Sequence, residues 1–228
     1  ALVSQKLHAY GFASLWEEAV ISLLRKVTAV PLEPFSETGV AARPFTLSSV
    51  SGSERLNELE FYFPLRRLVP EYLKNIFADA GYSPSANDGK KGNGPSGQDF
   101  SVEKERLHFS PVRGFLKGFM DMVFCFGGRY YLVDWKSNFL GLTVSDYNQA
   151  ALRHSMSDNF YILQYHLYAL ALHLYLGRRL PGYRYEKDFG GVYYFFLRGV
   201  EPALGSEYGI YRKRPQEGVI MELAENLL

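Results

Sequence analysis

The chain has 228 residues, of which 47% are hydrophobic and 16% aromatic, so it can form a sizeable core and is not a disordered protein. Its single cysteine, Cys125, excludes an internal disulfide framework and a cysteine-based zinc site, and it favours a reducing, cytoplasmic location. The formal net charge of +1 argues against a freestanding non-specific nucleic-acid binder, but it is compatible with a local basic strip. The first residues show no targeting signal, and the most apolar stretch, 159–180, carries too many polar residues for a membrane span.

The spacing of apolar residues predicts alternating helices and strands. We predict helices over 12–30, 65–80, 146–156, 159–176 (capped by Gly177) and 218–228, and strands over 58–64, 115–126, 129–136 and 191–197. This order predicts a single α/β domain over 1–228, with a mixed central β-sheet flanked by helices. Residues 83–99 consist mainly of glycine, serine, proline, asparagine and lysine, and predict a flexible loop or insertion within that domain.

The pair Gly127-Gly128 between two aromatic-rich strands predicts a two-residue hairpin. Such a turn places Asp121 opposite Asp134, with their Cβ atoms about 4.5–5.5 Å apart. Opposed carboxylates repel each other unless a proton or a cation lies between them, and Mg²⁺ prefers carboxylate oxygen. Lys136 projects from the same face of its strand and can stabilise negative charge on a phosphate. These residues suit metal-assisted phosphodiester hydrolysis; alternatively, the acids form salt bridges or hold a structural ion.

Sequence blocks around these residues closely resemble the C-terminal nuclease domain of the RecB family, which belongs to the PD-(D/E)xK superfamily. The blocks span 114–124, 128–138, 163–172, 189–200 and 209–215, with further similarity at 11–16 and 58–64. The resemblance therefore covers nearly the whole chain except 83–99. It implies a restriction-endonuclease-like fold and Mg²⁺-dependent exodeoxyribonuclease activity during double-strand-break processing, with Mn²⁺ or Ca²⁺ as alternative occupants of the metal site.

The resemblance also implies which residues bind the metal. Asp121 and Asp134 match the two metal-binding acids of the family, and the backbone carbonyl of Trp135 matches a further ligand. An acidic residue of the preceding strand matches Glu58, with Glu60 as the second choice.

Three further residues match catalytic positions of the family. Lys136 matches the catalytic lysine, and Gln164 and Tyr168 match the Q-x-x-x-Y motif. Their spacing places Gln164 and Tyr168 on one helix face, where they would meet the metal site and the DNA backbone. The alternative is that both residues lie at the edge of the core without a catalytic role.

The family's metal-binding histidine, which follows a G-x-x-x-H pattern, has no match in this chain. His8 lacks the required glycine, because Ser4 stands four positions before it. We therefore expect this histidine to lie upstream of Ala1 and the chain to be a fragment of a longer polypeptide that binds metal more tightly. A catalytically weak module that binds DNA or a partner subunit remains the alternative function.

Basic residues are concentrated between 176 and 214, together with aromatic residues. This pattern predicts a strip that binds DNA through Arg198, Arg212, Lys213 and Arg214, although a solvated face would look similar. The resemblance implies DNA, RecC-like and RecD-like subunits and an upstream helicase domain of the same chain as partners, and no membrane.

Overall fold

The computed structural model describes residues 2–35, 43–71, 73 and 112–228. The predicted loop at 83–99 and half of the helix predicted over 65–80 lie outside these residues, whereas 70, 71 and 73 are helical. The helices are α1 Leu2–Ala9, α2 Glu17–Ala29, α3 Gln149–Asp158, α4 Tyr161–Arg179, α5 Tyr185–Asp188 and α6 Glu217–Leu227. The strands are β1 Arg55–Leu68, β2 Val112–Phe126, β3 Arg129–Lys136, β4 Phe189–Phe196 and β5 Ile210–Lys213. None of the helices in the described ranges is long and apolar enough to cross a membrane.

The strands form one sheet in the order β1-β2-β3-β4-β5. Strand β2 pairs antiparallel with both β1 and β3. Helices flank this mixed sheet, which confirms the predicted α/β fold and is consistent with a restriction-endonuclease-like core. The turn between β2 and β3 has left-handed backbone at both Gly127 (φ 59°) and Gly128 (φ 75°), as a type I′ hairpin requires.

The chain forms two compact units: residues 1–54, 135–152 and 194–211, and residues 55–134, 153–193 and 212–228. In the first unit, the Lys26 ammonium lies 2.7 Å from the Glu201 carboxylate. In the second unit, α4 contributes fully buried side chains such as Tyr165 and His166 to the core. The single domain over 1–228 stays a prediction.

Several local predictions differ from the structure, and helices α1 and α5 were not predicted. Residues Leu65 and Leu68 still pair with β2, so 65–68 form the end of a strand and not the start of a helix. Helix α4 continues through Gly177, because the Leu180 amide bonds the Leu176 carbonyl at 2.8 Å, so Gly177 is not the cap. Strand β5 is absent from the sequence prediction because its four residues include Arg212 and Lys213 and show no apolar alternation.

Candidate active site

The hairpin carries the two predicted metal-binding acids at one level of the sheet. Its ladder runs from the pair Phe126–Arg129 to the pair Met122–Val133, in the register that a two-residue turn imposes. Asp121 and Asp134 are the next residues along each strand, and both belong to the second unit. The printed pairs end one residue short of both acids, so their direct opposition stays a prediction.

The burial of Asp134 is unusual for a carboxylate. Asp134 is only 3% exposed and follows Leu132 and Val133, which are fully buried, whereas Asp121 is half-buried. A buried carboxylate is costly unless it is neutralised, paired or bound to a cation. Oxygen donors of this kind fit Mg²⁺ or Ca²⁺ and not a soft metal.

Within the ranges that the structure covers, no group of three His, Cys, Asp or Glu side chains could hold a metal ion. Side chains alone therefore do not complete a cage around Asp121 and Asp134. This arrangement fits Mg²⁺, which usually binds through one or two carboxylates and keeps several waters.

Glu58 occupies a strained position on β1. Its φ angle of 53° is left-handed, which is rare for a residue with a side chain and costs of order 1–3 kcal/mol. The β1–β2 ladder pairs Asn57 with Met122 and Leu59 with Met120, so Glu58 and Asp121 are the two residues between these pairs. The Glu58 side chain is exposed and is not gathered with Asp121 into a three-ligand group.

Glu60, the second choice for the acidic position, contacts a lysine. Its carboxylate lies 2.6 Å from the Lys117 ammonium across the β1–β2 ladder, and both side chains are about half exposed. In this arrangement Glu60 balances a neighbouring surface charge, so Glu58 remains the better candidate for the metal site.

Helix α4 brings Gln164 and Tyr168 together. The Gln164 amide nitrogen donates a hydrogen bond of 2.9 Å to the Tyr168 hydroxyl. Burial raises the pKa of Tyr168, and the charges of Asp134 and Asp121 raise it further, while the bond from Gln164 lowers it. The Tyr168 hydroxyl therefore stays protonated at neutral pH and lies within the electrostatic field of both acids.

The support beneath Tyr168 was missed by the sequence reasoning. The Tyr168 ring contacts the Phe61 ring edge to face, with centroids 5.5 Å apart. Phe61 in turn lies over Gly118, its partner across the β1–β2 ladder, where an added Cβ would come within 2.5 Å of the Phe61 ring. A glycine opposite an aromatic residue in the predicted strand pairing is the signal that would have indicated this contact.

Trp135 and Lys136 continue β3 beyond Asp134 and belong to the first unit. The Trp135 ring lies 5.0 Å from the Phe195 ring, and the Lys136 ammonium lies 5.2 Å from the centre of the Tyr194 ring. Contacts to β4 therefore restrict both side chains. Lys136 follows Asp134 by two residues, the interval that returns a side chain to the same face of a strand.

The predicted basic strip contains residues with different environments. The Arg214 guanidinium bonds the Phe189 and Glu186 carbonyls at 3.0 and 2.7 Å and the Glu186 carboxylate at 2.8 Å. Burial lowers the pKa of Lys213, and Arg212 is half-buried. The contacts of Arg214 tie β4 to α5, and DNA binding by these residues stays a prediction.

Arg198 lies in the first unit and is exposed. Its Nε donates to the Ser137 carbonyl at 3.3 Å, and its guanidinium lies 5.9 Å from the centre of the Phe139 ring. These contacts leave the Arg198 side chain at the surface, where a phosphate can approach it.

The fold and the site define an α/β protein with a restriction-endonuclease-like core and paired carboxylates. The relatives of the chain identify the family more closely. The chain is homologous to a segment of RecBCD enzyme subunit RecB. It is 41% identical over 98% of its length to the subunit of Escherichia coli, 36% over 90% to that of Haemophilus influenzae, and 31% over 87% to that of Mycolicibacterium smegmatis.

These relatives confirm the resemblance to RecB that the sequence blocks indicate. The chain spans only 17%, 15% and 20% of the length of the three relatives, so it corresponds to one part of a longer subunit. No family model matches the chain.

Proposed function

We propose that this chain is a Mg²⁺-dependent DNA nuclease domain that hydrolyses phosphodiester bonds within a RecBCD-type helicase–nuclease. The observation that carries the proposal is the hairpin register, which runs to the residues directly before Asp134 and after Asp121 and predicts that the two acids face each other, with Tyr168 in the field of both, in a homologue of RecB. Acidic residues at one level of a sheet and a neighbouring hydroxyl donor suit metal-assisted hydrolysis.

Asp121, Asp134 and the Trp135 carbonyl would hold the metal, and Glu58, which the structure does not gather with them, would join by turning its exposed side chain toward the ion. When bound, Mg²⁺ supplies a water of lowered pKa and charge compensation for a phosphate. The burial of Asp134 favours such binding, because a bound cation relieves the cost of its charge.

The remaining residues position and stabilise the substrate. The Lys136 ammonium favours negative charge that develops on the phosphate. The Tyr168 hydroxyl is protonated at neutral pH and would donate a hydrogen bond to an oxygen of the site, since burial raises its pKa further. Gln164 fixes the orientation of that hydroxyl through its bond of 2.9 Å.

The chain would act as part of a larger assembly. Its relatives are named as a subunit of an enzyme, which supports RecC-like and RecD-like partners and a helicase domain elsewhere in the same polypeptide. A domain tethered beside a helicase does not need strong DNA affinity of its own, since tethering supplies a high effective concentration. This agrees with the net charge of only +1.

The decisive experiment measures degradation of single-stranded DNA in Mg²⁺ and in a chelator. We expect cleavage only with Mg²⁺, and a loss of about 100-fold or more for Asp134→Asn and for Lys136→Ala, a typical effect of removing an electrostatic catalytic group. Glu225→Gln, an exposed change on α6, serves as the control and should leave the rate unchanged. If Asp134→Asn and Lys136→Ala cleave DNA as fast as the parent chain and the Glu225→Gln control, the site assignment is wrong. DNA binding without cleavage would favour the alternative of an inactive binding module.

A further inference from the structure

An exposed aromatic surface lies on the β1–β2 ribbon. The Tyr62 and Phe115 rings are stacked, with centroids 4.6 Å apart and planes inclined by 12°, and they are 60% and 61% exposed. Phe119 is 49% exposed, and the Lys117 ammonium lies 5.5 Å from the centre of its ring. We call Tyr62, Phe115, Lys117 and Phe119 the ribbon surface.

This surface continues along one face of β2 toward the acids. Phe115, Lys117, Phe119 and Asp121 stand at alternate positions of the strand, so their side chains project from the same face. Phe115 lies six residues from Asp121, which is roughly 20 Å along a strand. Exposed rings and a cation therefore lead directly to the residue proposed to bind the metal.

A basic groove adjoins the ribbon surface at Tyr62. This groove, about 240 Å³ in volume, lies between β1 and the C-terminal part of α4, and Tyr62, Tyr175, Arg178 and Arg179 contribute to its lining. Both arginines are exposed, and the Arg179 guanidinium lies 5.3 Å from the centre of the Tyr175 ring. The lining also includes Glu60, so the two arginines give the groove an excess of one positive charge, which suits an anionic chain.

We propose that the ribbon surface and the groove bind single-stranded DNA upstream of the site of cleavage, with bases stacked on Tyr62 and Phe115. The proposal rests on the proposed nuclease function and adds a substrate-binding region to it. Two parallel exposed rings already form a stack that a base can extend, and every base presents a π face, so such binding tolerates any sequence. Lys117, Arg178 and Arg179 would contact the phosphates between stacked bases.

The proposal favours nucleic acid over a protein partner because Lys117 stands between Phe115 and Phe119 on the ribbon surface and because the same face reaches Asp121. The core of a protein interface is depleted of charged residues, whereas single-strand binding sites combine aromatic platforms with positive charge. Glu60, which pairs with Lys117, and Glu58 further along β1 oppose this charge near the acids, so the phosphates would be held mainly at the end of the ribbon that carries Tyr62 and Phe115.

The test measures binding of a labelled oligothymidylate of about 20 nucleotides, longer than a typical single-strand site, by fluorescence anisotropy in a chelator. The double variant Tyr62→Leu, Phe115→Leu should bind at least about fivefold more weakly, since each stacked base contributes about 1 kcal/mol or more. A strand of the same length without bases should bind the double variant and the parent chain equally. Tyr10→Leu, at a 76% exposed tyrosine of the first unit, should not change either affinity.

Lys117→Gln tests the electrostatic part. It should reduce the dependence of log affinity on log salt by about 0.7 if one phosphate contact is lost. Unchanged binding of oligothymidylate by the double variant would overturn the proposal, as would an equal loss for the strand without bases. If the double variant instead loses association with a second protein and keeps its DNA affinity, the surface is a protein interface and the proposal is wrong.

These outcomes are separate from those of the nuclease test, because binding is measured without metal. If the chain cleaves DNA but shows no preference for strands with bases, the proposed function holds and the role of the ribbon surface is refuted. If the chain binds DNA through the rings but never cleaves it, the ribbon surface binds DNA and the nuclease function is refuted.

Discussion

Replacing Glu58 by glycine should stabilise the fold while it weakens metal binding. Glu58, the fourth residue of β1, has φ 53°, a conformation that costs a residue with a side chain about 1–3 kcal/mol. Glycine adopts this backbone without strain, but ordering glycine in a strand costs about 0.5–1 kcal/mol. The exposed Glu58 side chain contributes little packing, so the net gain should lie between about 0 and 2.5 kcal/mol.

The neighbouring residue provides the matched control. Asn57 is also exposed, lies on the same strand and has no positive φ. Asn57→Gly should therefore destabilise the chain by about 0.5–1 kcal/mol. The two glycine variants should differ in melting temperature by several degrees, because 1 kcal/mol shifts a chain of this size by about 2–4 °C.

Calorimetric titration with Mg²⁺ supplies the functional half of the test. If Glu58 is a ligand, Glu58→Gly should weaken binding, and Glu58→Gln should do so without relieving the backbone strain. Equal destabilisation by Glu58→Gly and Asn57→Gly would refute the strain argument. Unchanged Mg²⁺ affinity in both Glu58 variants would remove Glu58 from the metal site.

Further predictions concern the core and the helix motif. Burial lowers the pKa of His166 to about 3, so between pH 6.5 and 3 only the unfolded chain takes up a proton at this residue. The free energy of unfolding should therefore fall by up to about 1.4 kcal/mol for each pH unit from 6.5 toward 3. His166→Gln should flatten this pH dependence in urea titrations. Gly190→Ala should destabilise by about 1–3 kcal/mol in thermal melts, because its Cβ would meet the buried Tyr131 ring; a melt like that of the parent chain would contradict this close contact. Tyr168→Phe should slow Mg²⁺-dependent cleavage about threefold to tenfold with little change in melting temperature, and Gln164→Ala should slow it less. If Tyr168→Phe cleaves at the rate of the parent chain, the hydroxyl takes no part in catalysis.

Local sequence signals predicted the hairpin and the helix motif well. Gly127-Gly128 has the backbone freedom that a two-residue turn requires, and this turn fixes the register that carries Asp121 and Asp134. The spacing of Gln164 by four residues from Tyr168 fixes their contact within one helix. Interactions within a turn or a helix depend on nearby residues, so the sequence alone indicates them.

Features that depend on pairing between distant segments were not predictable in the same way. Leu65 and Leu68 have a helical apolar spacing, but their pairing with β2 keeps them in a strand. The left-handed backbone of Glu58 is set by the ladder on either side of it and has no signature in the residue itself. The stacking of Tyr62 on Phe115 likewise requires the register of two strands separated by a long segment of chain.

The position of β1 at one end of the strand order has a consequence for self-association. Among the residues that the structure describes, no strand pairs with the outer side of β1, and a long strand edge of this kind is a template for pairing with a second chain. Pro64 lacks an amide hydrogen, and the left-handed backbone of Glu58 interrupts the regular pleat. The outer side of β1 is therefore not a continuous row of backbone groups around these two residues. The exposed charges of Glu60 and Arg66 add a further barrier. The residue proposed to bind metal therefore also helps to keep this sheet edge from joining another molecule into an extended sheet.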